Sequence, residues 1–105
     1  MVTQKTQETY SEASARIVVK HPHLATMAAH ALAIVEAGKV QPHADGQGAT
    51  VLSENGRGSY EVELRSDGPV CGCPAHLYRP AMINGRPYCK HVMAYGIYNR
   101  VNGER

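Results

Sequence analysis

Apolar residues recur at helical spacing in the first third of the chain and alternate in its middle, and that change of period divides the sequence. From Glu8 to Lys20 the apolar positions Tyr10, Ala13, Ile17 and Val18 keep helical spacing, with Glu12 and Arg16 four residues apart as a charge pair. His21-Pro22 interrupts this run, because the residue before a proline avoids the helical region, and Pro22 suits the first turn of a second helix. Leu24, Met27, Ala28, Ala31, Ile34 and Val35 then form a broad apolar stripe through Glu36, with Gly38 placed to cap it in the left-handed conformation. The pattern predicts a helical hairpin over residues 1–38, whose stripe is either a core face or a face for docking a partner. Residues 39–48, with Pro42, Gly46 and Gly48, read as a linker.

Past the linker the period becomes two. Ala49–Glu54 and Ser59–Arg65 are β-prone and are joined by Asn55-Gly56-Arg57-Gly58, which is strong turn chemistry. In the second strand Tyr60, Val62 and Leu64 alternate with Glu61, Glu63 and Arg65, so one face is expected to be buried and the other wet. Ser66-Asp67-Gly68-Pro69 reads as a further turn. A last helix is expected from about His91 to Val101, burying Met93, Ile97 and Val101, with Val92 and Tyr95 beside that stripe and Gly103 after it. The chain thus divides into helices over 1–38, a linker over 39–48 and a hairpin-and-helix module over 49–105.

Composition adds a difficulty. The chain has 105 residues and contains neither Phe nor Trp, so its core must come from aliphatic residues, Met, Ala and some of the six Tyr. Chains of this size bury modest cores, and a metal staple would offset the deficit. Charge is uneven: residues 1–67 carry six Lys/Arg against eight Asp/Glu, whereas residues 68–105 carry five against one. The net of +4 in the C-terminal third hints at an anionic partner there, although an ordinary solvated surface carries as much. Met1–Glu12 is polar where a signal peptide would be apolar, and Leu24–Ala37 is too short to span a bilayer. Three cysteines cannot pair completely. A reducing, cytoplasmic setting without a membrane partner is expected.

The candidate chemistry lies in that basic third. Cys71-Gly72-Cys73 and Cys89-Lys90-His91 are two pairs, each spaced i, i+2 and separated by fifteen residues. In extended backbone this spacing sets both side chains on one face, so each pair can grip one ion. Three sulfurs and one imidazole nitrogen are a tetrahedral Zn²⁺ set, and four protein ligands leave no position open for substrate. The expected cofactor is one structural Zn²⁺ held by Cys71, Cys73, Cys89 and His91, in a protein that is not an enzyme and has no small-molecule substrate. Two other readings compete: buried thiols without metal, and a reactive Cys–His pair, for which no orienting third residue is evident. His76 lies between the pairs and is an alternative nitrogen ligand, although it lacks a Cys two residues before it. His21, His23, His30 and His43 read as ordinary surface or core residues.

Val70-Cys71-Gly72-Cys73-Pro74 followed by Tyr88-Cys89-Lys90-His91-Val92-Met93-Ala94, after a hairpin and leading into an apolar helix, resembles the SWIM-type zinc finger. The resemblance covers about residues 49–101; the segment from His76 to Tyr88 is longer than the matching gap in many compact members. It implies an α+β chain in which the helical hairpin is followed by a β-hairpin, zinc knuckle and helix (ββα). It also implies a role in DNA binding or in protein contact, without fixing one activity. For nucleic acid the candidate contacts are Arg79, Arg86, Lys90 and Arg100, with Tyr78 and Tyr88 interleaved to stack on bases. The competing expectation is an adaptor that presents its N-terminal helices to a protein partner.

Overall fold

The computed structural model of the chain describes residues 9–53, 57–65, 68–78, 81–83 and 85–102. Helix α1 (Tyr10–Lys20) begins at Thr9, whose hydroxyl accepts the Glu12 amide at 3.1 Å while the Glu12 carboxylate accepts the Thr9 amide at 2.9 Å. This reciprocal pair satisfies two of the amides a helix start leaves open. His21 ends the helix, and Pro22–Leu24 makes one 3₁₀ turn into α2 (Ala25–Glu36). The Ser14 hydroxyl donates to the Ala28 carbonyl at 3.3 Å in the buried seam between the two helices. Gly38 (φ 74°) closes α2 as expected: its amide bonds Val35 O and the Lys39 amide bonds Ile34 O, the two bonds of a Schellman ending. Leu24, Ala28, Ala31, Ile34 and Val35 are all buried, so the stripe of α2 is core.

Four antiparallel strands follow in the spatial order β1-β2-β3-β4: β1 (Val40–Pro42), β2 (Gly48–Leu52), β3 (Ser59–Arg65) and β4 (Gly68–Cys71). The linker expectation is corrected at both ends, because β1 lies inside it and Gly48 opens β2. Gly68 and Pro69, expected in a turn, instead begin β4. The Asn55-Gly56 turn lies outside the described residues. Pro42 and Pro69 fall in the two outer strands, where a missing amide donor disrupts the ladder least. Gly48 faces Glu63 across the ladder with φ 149°, and a Cβ there would run into the Val62 carbonyl. Ala49, Val51 and Val62 are fully buried, while Tyr60 is half-buried. Leu64, expected inside, is 39% exposed, since it pairs with Pro69 close to the β3–β4 connection, past the strip that Val62 and Cys71 bury.

The segment between the ligand pairs, for which the sequence suggested no elements, holds a short helix α3 (Pro74–Tyr78) and a two-stranded ladder of β5 (Ala81–Ile83) and β6 (Arg86–Tyr88). Helix α4 (Lys90–Asn102) then runs between the helical hairpin and the sheet. It packs most extensively on α2 and also touches α1, β6 and all four strands of the sheet. It buries His91, Val92, Met93, Ala94, Tyr95 and Ile97; Val101 is half-buried. At its far end Tyr98 stacks on Tyr10 with centroids 6.4 Å apart, and Asn102 donates to the Tyr10 hydroxyl at 2.6 Å. The fold is therefore α+β with one core running from Ala13 to Ile97, and the expected hairpin is the centre of a wider sheet. Among the described residues no helix is long and apolar enough to cross a membrane.

Candidate metal centre

Cys71 is the last residue of β4, and Cys73 stands one residue before α3. Cys89 immediately precedes α4, and its carbonyl accepts the Met93 amide at 2.9 Å, so it begins the helical hydrogen-bond ladder. His91 is the second residue of that helix. Thus one pair is carried by a strand end and the other by a helix start, and the β3–β4–α4 packing closes them on each other. One donor atom from each of these four buried residues lies within 4.8 Å of all the others.

His91 Nδ1 sits 3.8 Å from Cys71 Sγ and 3.9 Å from Cys89 Sγ. A tetrahedral zinc ion with bonds of about 2.3 Å to sulfur and about 2.0 Å to nitrogen sets donors about 3.5–3.8 Å apart, a few tenths of an ångström inside these distances. The spacing therefore suits one ion of that size. The ring of Tyr60, from β3, lies 4.7 Å from the His91 ring at a tilt of 40° and covers it. His91 Nε2 is buried without a hydrogen-bond partner among the described residues, so only Nδ1 faces the sulfurs.

The thiols are not equivalent. Cys89 is held well below the usual thiol range, first by the hydrogen bond its sulfur accepts from Cys71, then by His91 and the Val92 amide. Burial opposes this but does not prevail. Cys71 is pushed far upward, first by sharing its proton with Cys89 and then by burial. Burial also raises Cys73, while the backbone amide of His76, which donates to its sulfur at 3.4 Å, pulls the other way. The cluster thus favours the thiolate at Cys89 over the other two, and that sulfur is the one on which a cation would first settle.

His76, weighed from sequence as an alternative ligand, falls outside this cluster. It is buried all the same, with both ring nitrogens unpartnered among the described residues, and it reaches the site only through its amide on Cys73. The Tyr60 cover and the Val92 amide also belong to the site; neither has a spacing signal in the sequence, since one comes from a strand and the other from backbone.

The candidate nucleic-acid contacts do not gather as closely. Arg86 is exposed on β6, and Lys90 is half-buried at the first position of α4. Arg100 is exposed ten residues further along, about 15 Å by the helical rise, and so lies away from the cysteines. Arg79 lies outside the described residues. Tyr78 is 79% exposed, whereas Tyr88 is half-buried against the core. Compared with protein-family models, with curated proteins and with solved structures, the chain matches none of them.

Proposed function

We propose that the protein is a structural zinc module of SWIM type, not an enzyme, that binds nucleic acid through the segment between its two ligand pairs. The observation that carries the zinc reading is the convergence of three sulfurs and one imidazole nitrogen, all buried, within 4.8 Å. Cys71, Cys73, Cys89 and His91 would hold the ion, which supplies cross-linking between β4 and α4 where a core without Phe and Trp is thin. Support for nucleic acid comes from the exposed ring of Tyr78 on α3 and the exposed Arg86 on β6, both in the segment between the ligand pairs and in a third of the chain with net charge +4. An exposed ring can stack on a base while the guanidinium holds phosphate. An adaptor role for the N-terminal helices would need faces other than the α2 stripe, which is core.

Metal analysis of the purified protein tests the first part. Zinc near one ion per chain is expected, lost in Cys89→Ser and kept in His76→Ala; loss in His76→Ala with retention in His91→Ala reverses the nitrogen assignment. Mobility shift of labelled single-stranded and duplex DNA tests the second part. Binding should fall steeply between about 50 and 200 mM salt and should weaken in Tyr78→Ala and Arg86→Glu. Binding that ignores salt and both substitutions removes the nucleic-acid reading and leaves the zinc module intact.

A further inference from the structure

The imidazole of His76 is 6% exposed, and neither of its ring nitrogens has a hydrogen-bond partner among the described residues. A neutral imidazole carries one donor and one acceptor, so the ring is unsatisfied on both sides. Buried polar groups almost always find a partner, because one taken out of water without a replacement destabilises the fold. A partner of another kind, such as an ion, removes that cost.

Local geometry directs this ring toward the sulfurs. Cys73 caps the start of α3: its carbonyl accepts the Leu77 amide at 3.1 Å and its sulfur accepts the His76 amide at 3.4 Å. His76 is the third residue of that helix, the position from which a capping-box side chain reaches back to the cap. Helical side chains lean toward the N-terminus of their helix, which here is the end that holds Cys73. Residues three apart on a helix set their Cβ atoms about 5–6 Å from each other. A turn about the side-chain bonds of His76 covers the distance from there to a cation on Cys73. The ring stands outside the four donors that already lie within 4.8 Å of one another, so His91 and not His76 completes that arrangement.

We propose that His76 is a second nitrogen ligand of the metal centre, which takes the coordination position of His91 when that imidazole is withdrawn. This assignment rests on the zinc-module reading and extends it. The donor set after the exchange is again three sulfurs and one imidazole nitrogen, so the charge and the tetrahedral preference of the site are kept. The two imidazoles differ in where they are anchored. His91 belongs to α4 and moves with that helix. Cys71, Cys73 and His76 fall within six residues, from the end of β4 to the first turn of α3, and close only a short loop. That trio leaves three protein ligands in place while the first turn of α4 opens.

Cobalt titration of the full-length chain tests this, because the visible absorption of the ion reports which donors surround it. The parent protein is compared with His76→Ala, His91→Ala and the variant carrying both. His76→Ala alone should bind within a few-fold of the parent, since His91 fills the position. His91→Ala should still bind, about 10-fold to 100-fold more weakly, with the absorption of a three-sulfur, one-nitrogen site. Adding His76→Ala to it should weaken binding by about tenfold or more again and change the absorption to that of a three-sulfur, one-oxygen site. The same pair of measurements in a His91→Asn background, which keeps more of the side-chain volume, covers a folding defect of His91→Ala. The proposal is overturned if both His91 variants lose cobalt while the parent holds it. It is also overturned if His76→Ala leaves the His91 variants unchanged, as a buried water on the ring would predict, or weakens parent and His91 variants by the same factor, as a packing role would. A parent chain that binds no cobalt overturns the zinc-module reading together with the proposal.

Discussion

Tyr60, thirty-one positions before His91, sets its ring over the imidazole at 4.7 Å and so limits how that ring can turn. Removing a partner that holds a metal ligand in place commonly leaves a tenth or less of the site's affinity. Tyr60→Ala should therefore weaken zinc affinity by about 10-fold to 100-fold, while Tyr60→Phe, which keeps the ring, should leave it within a few-fold. Competition with a chromophoric chelator measures both, and equal losses in the two variants would show that the hydroxyl matters instead. Gly48 is the other single residue under tight constraint. Its φ of 149° and the Val62 carbonyl beside it leave no room for a Cβ, so Gly48→Ala should lower stability by about 2 kcal/mol or more in denaturant titration. At this scale much is legible in the sequence. The two i, i+2 pairs announce Cys71, Cys73, Cys89 and His91, and the Gly38 cap follows from its place after an apolar stripe. His43 is less legible: its Nε2 sits 2.8 Å from Glu61 Oε1 and beside Thr50, a cross-strand association that depends on a register no local pattern states. His76 is hidden for the same reason, since its burial depends on where α3 folds back.

Helix α4 does more than bury a stripe, because its first turn begins at a ligand. The Val92 amide and the Cys71 thiol both favour thiolate at Cys89, whereas Cys71 and Cys73 hold their protons above the usual thiol range. The sign follows directly. Protons on Cys71 and Cys73 must leave for a metal to bind, so affinity rises with pH and falls as the solution is acidified. Calorimetry in buffers of different ionisation enthalpy should therefore detect protons released as zinc binds near neutral pH, and an absence of release would show that the thiols are already ionised before metal arrives. Among the elements, α1, α2, α4 and the β2–β3 hairpin are readable from periodicity. Strands β1, β4, β5 and β6 are not, being three or four residues long and, in three of the four, containing a proline. No alternation is measurable over so few positions, and pairing with a longer neighbour, not propensity, makes them strands.

Over the whole molecule, α4 is the shared wall of both halves. Every ligand lies beyond residue 70, yet the α2 stripe packs onto the helix whose start holds Cys89 and His91. Removing the metal with chelator should therefore give one transition, in which the far-ultraviolet helical signal and the near-ultraviolet tyrosine signal are lost together. Survival of a helical signal after the tyrosine signal has gone would show that α1 and α2 stand alone, which short helices rarely do in water. A further consequence concerns concentration. An open sheet ordinarily risks polymerising edge to edge, and the hazard grows if a lost ion loosens its packing. Both rims of this sheet are three- or four-residue strands bearing a proline, Pro42 on one side and Pro69 on the other, and neither makes a continuous template for an incoming strand. The zinc-free chain is thus shielded against fibre growth at these rims, and Pro42→Thr with Pro69→Thr should expose it, seen as faster thioflavin-positive aggregation after chelation than in the parent protein.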